Sequence, residues 1–73
     1  MEELRKKILA LLEQYHIAER GHEIQDYIDD DGTIAVYGNI NVPCLADCQT
    51  IARECGVEHK YDVSFDLFIF YLD

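Results

Sequence analysis

Cys44, Cys48, Cys55 and His59 are the residues whose types and order come nearest to a metal-ligand set. On a helix, Cys44 and Cys48 stand one turn apart. Cys48 and Cys55 stand two turns apart, ~10 Å along an axis that rises ~1.5 Å per residue. A zinc ion with bonds of ~2.3 Å cannot join all three thiols. Cysteine also packs as a small apolar residue. Cys44, Cys48, Ile51, Ala52 and Cys55 form one helical stripe, so these thiols read as core, and no metal or other cofactor is expected.

Asp29-Asp30-Asp31-Gly32 is the second candidate, because a glycine preceded by acids suits a calcium loop. With Gly32 at the sixth position, Asp29 and Asp31 take the third and fifth. Tyr27 and Gly38 then fall at the first and twelfth, where the loop needs Asp and a bidentate Glu. The stretch reads instead as a solvated turn, with Asp capping local amides and Gly accepting positive φ. His16, His22 and His59 are scattered and show no nucleophile–base spacing. There is no Gly-rich phosphate loop and no G-x-S-x-G elbow. A thin domain with one sheet has little room for a dry active site, so a non-enzyme is expected.

Charge is the remaining chemical signal. Fifteen acids against six bases give a net charge of −9 over 73 residues. In residues 1–20, Glu2, Glu3, Glu13 and Glu19 are balanced by Arg5, Lys6, Lys7 and Arg20. In residues 21–73 the acids meet only Arg53 and Lys60, so the net charge lies in that part. Such a surface repels phosphate backbones, which argues against direct nucleic-acid binding, and it attracts basic partners. No apolar run approaches the ~20 residues of a membrane span. Three cysteines and no cleavage pattern at the N-terminus lead us to expect free thiols in the cytoplasm.

The elements that must position these groups follow from periodicity. Residues 3–18 read as a helix, with Leu4, Ile8, Leu11, Leu12 and Tyr15 on one stripe and Gly21 as the stop. Residues 23–42 read as a hairpin turning at Asp29–Gly32. In its second strand Ile34, Val36, Ile40 and Val42 alternate with Thr33, Ala35, Tyr37, Asn39 and Asn41. Ile24 and Ile28 also suit a last turn of helix, and Gly38-Asn39 also suits a tight turn. Residues 43–55 read as a second helix, opened by Pro43 and closed by Gly56. Val57–Leu72 reads as one long strand. Val57, Tyr61, Val63, Phe65, Leu67, Ile69 and Tyr71 take its buried parity, and Glu58, Lys60, Asp62, Ser64 and Asp66 its wet parity. The expected fold is a single α+β domain of order α-β-β-α-β: a small three-stranded sheet with two helices on one face. The other face then shows Glu58, Lys60, Asp62, Ser64 and Asp66 beside Ala35, Tyr37 and Asn39, with Phe68, Phe70 and Leu72 as its apolar end.

Same-face residues on a strand repeat every ~6.6 Å and neighbouring strands lie ~4.8 Å apart. DNA carries one phosphate per ~3.4 Å along each strand. Glu23, Asp26, Asp29, Asp30, Asp31, Glu58, Asp62 and Asp66 are therefore expected to gather into one phosphate-like array, with Tyr37, Phe68 and Phe70 as aromatic anchors. In length, acidity and the clustering of Asp29-Asp30-Asp31 with Glu58, Asp62 and Asp66, the chain resembles small phage-encoded anti-defence proteins, the anti-CRISPR and anti-restriction inhibitors, several of which are DNA mimics. The resemblance implies an inhibitor that occupies the basic nucleic-acid-binding surface of a host defence complex. The alternative expectation is a homodimeric assembly module joined through Phe68, Phe70 and Leu72, with the acids serving solubility.

Overall fold

In the computed structural model, which describes residues 2–73, helix α1 (Glu2–Gln14) ends well before Gly21. The stop is a Schellman turn built without glycine. His16 takes φ 57, its N–H reaches the Glu13 carbonyl at 2.9 Å, and the Ile17 N–H reaches Leu12 at 3.1 Å. Leu12 and Ile17 are both fully buried, which supplies the hydrophobic contact such a turn requires. Tyr15, His16 and Ile17, expected as helix, thus belong to the turn, and Ala18 opens the 3-10 turn that follows. Gly21, at φ 90, closes a short 3-10 turn (Ala18–Arg20) instead.

Strand β1 (Glu23–Tyr27) leads through a single helical turn, α2 (Ile28–Asp31), into β2 (Thr33–Tyr37). The acidic segment is therefore a turn of helix, stopped by Gly32 at φ 75. Asp26 Oδ1 accepts from the Ile28 amide at 3.1 Å at the entry, and Asp31 Oδ1 accepts from the Thr33 amide at 3.2 Å at the exit. Helix α3 (Val42–Cys55) starts on an N-cap: Asn41 Oδ1 accepts from the Cys44 amide at 3.0 Å, with Pro43 in the first turn. Gly56, at φ 66, ends it.

The expected long strand is a hairpin, β3 (Glu58–Asp62) and β4 (Leu67–Tyr71), so the described residues form a four-stranded sheet and three α-helices. The break is made by the aspartates. Asp62 Oδ1 accepts from the amides of Ser64 and Phe65 at 3.0 and 3.3 Å, an Asx-type turn, and Asp66 takes φ 53. Val63 and Phe65, expected inside, sit on the turn at 76% and 75% exposure. All neighbouring strands are antiparallel, in the order β1-β2-β4-β3. Since β2 and β3 both run against β4, they run parallel to each other, with α3 as the crossover and β4 inserted between them.

Both long helices cover one face, as expected. Ile8 and Leu12 from α1 and Cys44, Cys48, Ile51 and Ala52 from α3 close over Ile34, Val36, Phe68 and Phe70. Phe68 and Phe70 meet at 4.9 Å between ring centroids, and His59 stacks on Phe68 at 5.2 Å. The parity of β4 is thus the reverse of the expected one. Phe68 and Phe70 are wholly buried and cannot anchor a partner or a homodimer, while Leu67, Ile69 and Tyr71 face away from the helices. The cause is the turn: it separates the two ends of the segment and makes β4 a central strand, apolar on both sides.

Candidate protein-binding face

The strand register defines the face opposite the helices. Its first row runs Glu23, Tyr37, Leu67, Asp62. The second runs Gln25, Ala35, Ile69, Lys60, and the third Tyr27, Thr33, Tyr71, Glu58. The two central strands give an apolar and aromatic middle. The two edge strands give a polar border with Glu23 on one side and Asp62 and Glu58 on the other. Across three strand spacings of ~4.8 Å, these borders are ~14 Å apart. No element among the described residues covers this face.

The middle of the face is not flat. Tyr27, Asp31, Thr33, Ala35, Leu67, Ile69 and Tyr71 line a depression of about 260 Å³. Ala35 and Thr33 form its floor and are 5% and 9% exposed, whereas Tyr27 stands out at 39%. A wider recess of about 530 Å³ beside the end of α1 is lined by Ala10, Glu13, Gln14, His16 and Glu19. Its polar contact, His16 Nδ1 to Glu19 Oε2 at 2.8 Å, is largely solvated, and four of its five lining residues are polar.

The expected acidic residues divide by role. Asp26 lies on the helix side, where it holds Arg5 by Nε and NH2 at 2.7 and 2.6 Å, and that carboxylate raises the Arg5 pKa. Asp66 holds the β2–α3 connection: its two oxygens accept from the Asn39 and Ile40 amides at 2.7 and 3.1 Å, and the Tyr61 hydroxyl approaches at 3.4 Å. Asp62 is occupied by its own turn. Asp31 spends one oxygen on Thr33, through both the amide and Oγ1. Glu23, Asp29, Asp30 and Glu58 are exposed; Glu23 sits beside the Tyr37 hydroxyl, and the other three have no hydrogen-bond or ion-pair partner among the described residues. The carboxylates thus form a broken border instead of one array. Lys60 stands between Asp62 and Glu58 on β3, which interrupts any phosphate-like pitch on that strand.

The cations lie elsewhere. Arg5 is on Asp26 and Glu2, Arg20 is on Asp47 at 2.8 Å, and Lys7 Nζ donates to the Glu54 carbonyl at 3.3 Å, all on the helical side. Lys60 is the one basic side chain the register places on the open face. Tyr37, half-buried on that face, has its pKa raised by loss of water and then by Glu23 beside it. Tyr61 is raised by loss of water and then by Asp66.

The thiols lie in the core as expected. Cys44 and Cys48 are fully buried and Cys55 partly so. Burial is the main cause that raises the pKa of all three, most strongly that of Cys48. The described residues include no group of His, Cys, Asp and Glu arranged to hold a metal ion. His22 is buried, and its Nδ1 lies 2.7 Å from the Gly38 carbonyl. A carbonyl only accepts, so Nδ1 carries the proton and ties the start of β1 to the end of β2. Its Nε2 is buried without a partner among the described residues.

Leu67, Ile69, Tyr71 and Tyr27 were missed as face residues by reasoning on periodicity. The signal was present in Asp62-Val-Ser-Phe-Asp66, which carries aspartate at both ends of a turn, and in the two-sided apolar run that follows. No helix is long and apolar enough to cross a membrane among the described residues. No protein-family model matches the chain, and neither a curated protein nor a solved structure gives a significant match.

Proposed function

We propose that the protein is a non-enzymatic binding module that acts in the cytoplasm and seats the uncovered face of its sheet on a cationic surface of another protein. The partner is a nucleic-acid-binding protein or complex whose groove the module occupies, the mode of action implied by its likeness to small anti-defence inhibitors. The observation that carries this reading is the division between the two faces. On the helical side Arg5 and Arg20 are held by Asp26 and Asp47, whereas the open side has exposed acids around an aromatic centre and, among the described residues, Lys60 as the one base the register places there.

Grooves that hold nucleic acid use cations for phosphates and flat groups for bases. A face with carboxylates at its border, Tyr37 and Tyr71 on its central strands and Tyr27 on the edge strand β1 offers counterparts to both. The border replaces the continuous acidic array expected from the sequence, and the apolar centre supplies the contact that charge alone does not. A second copy of the chain is a poorer occupant, because the border acids of two −9 molecules would meet one another.

The test is affinity capture from host lysate on immobilised protein, eluted with a salt gradient and, separately, with duplex DNA. A partner that leaves at moderate salt and is displaced by DNA supports the reading. A partner that holds equally at high salt, or that binds DNA and this protein together, overturns it.

A further inference from the structure

Resting on that reading, we propose that the depression between Tyr27 and Tyr71 is the anchor point of the face and receives one arginine side chain of the partner. Its volume decides the class of occupant. At about 260 Å³ it falls below the ~300–1,000 Å³ of sites that enclose small molecules, and it is open on one side. That is room for a single side chain, not for a cofactor.

Its lining decides which side chain. Ala35, Leu67 and Ile69 give an apolar floor that suits an aliphatic stem. Tyr27 and Tyr71 flank Thr33 in the third row of the sheet, so the register puts an aromatic residue on each side of the Thr33 end of the depression. Asp31 completes the lining. Its Oδ1 is held by Thr33, which fixes the carboxylate in place and leaves Oδ2 without a partner among the described residues. An apolar floor, aromatic walls and one fixed carboxylate oxygen match a planar guanidinium, which stacks on rings and donates in a fork. A lysine ammonium is a more strongly hydrated point charge and gains less from the rings. The exposed Glu23, Asp29, Asp30 and Glu58 attract a basic partner from any direction, and the depression gives its arginine one place to go.

The experiment uses isotope-labelled protein titrated at low salt with two nonapeptides, all-arginine and all-lysine, read by NMR shifts. The expected result is tighter binding of the arginine peptide, with the largest shifts at Tyr27, Asp31, Thr33, Ile69 and Tyr71. Tyr27→Phe keeps that affinity, and Tyr27→Leu weakens it ~5–10-fold, the loss of one cation–ring contact. Equal affinity for the two peptides, with shifts spread over Glu23, Asp29, Asp30 and Glu58 and no effect of Tyr27→Leu, overturns the anchor and leaves charge-driven docking standing. Failure of both peptides to bind overturns the docking reading itself. The comparison of peptides on the unmodified protein decides the matter even if a variant folds poorly.

Discussion

Replacing Asp66 by alanine is expected to destabilise the fold by ~3 kcal/mol, and the size can be worked from the geometry. The carboxylate accepts two short backbone hydrogen bonds, from Asn39 at 2.7 Å and Ile40 at 3.1 Å. A hydrogen bond to a charged group contributes about 1.5–3 kcal/mol, and because the site is only half-buried the pair belongs at the low end, ~3 kcal/mol together. The contact with the Tyr61 hydroxyl at 3.4 Å adds little. Alanine keeps the same Cβ as aspartate at φ 53, so backbone strain adds nothing to the difference. A chain of this length has a total stability of only ~4–11 kcal/mol, so the loss is a large share of it. The consequence also reaches α3, because Asn39 and Ile40 lead directly into its Asn41 cap. Urea unfolding followed by far-ultraviolet circular dichroism measures the effect. Asp66→Asn, which keeps an acceptor and tolerates positive φ, is expected to lose only ~1.5 kcal/mol. An alanine variant within ~1 kcal/mol of the parent would refute the view that Asp66 staples the two halves of the fold.

Three further outcomes follow from single features. Native protein treated with a thiol reagent labels first at Cys55, while Cys44 and Cys48 react only after unfolding; simultaneous labelling of all three contradicts the core described above. Tyr37 and Tyr61 have raised pKa values, so the fold favours their neutral phenols. Their contribution to stability is complete below the ordinary tyrosine value of ~10 and is lost as pH rises through the raised native values. Alkaline titration at the phenolate band, native against unfolded, checks the order of ionisation. Gly32→Ala is expected to destabilise by ~1–2 kcal/mol, because φ is +75 and the new Cβ would displace the Asp73 carboxylate; a neutral effect in urea unfolding contradicts this.

How much of this was legible in the sequence depends on where local chemistry and periodicity agreed. The stripes of Ile8 with Leu12 and of Cys44, Cys48 and Ile51 declared two helices on one face, and Pro43 and Gly56 bounded the second. The segment Val57–Leu72 misled because alternation continues through a turn. Tyr61 and Val63 share a parity in the sequence, yet the chain reverses between Asp62 and Leu67 and the periodic count loses its meaning there. The face residues were lost with it, since a central strand with both sides apolar carries no mark of which side is covered. Local hydrogen bonding also decided the fate of the acids. Asp26, Asp31, Asp62 and Asp66 serve nearby amides, side chains or Arg5, which a count of charges does not reveal.

The most direct test of the central claim compares two charge reversals of equal size. Glu23→Lys with Glu58→Lys alters the open face, and Glu13→Lys with Glu54→Lys alters the helical side by the same net charge. Affinity for the captured partner is then measured for each pair at fixed ionic strength. The open face as docking surface predicts a loss of tenfold or more, ~1.4 kcal/mol, for the first pair and little change for the second. Equal losses from both pairs would show that net charge alone attracts the partner and that the face has no special part in holding it.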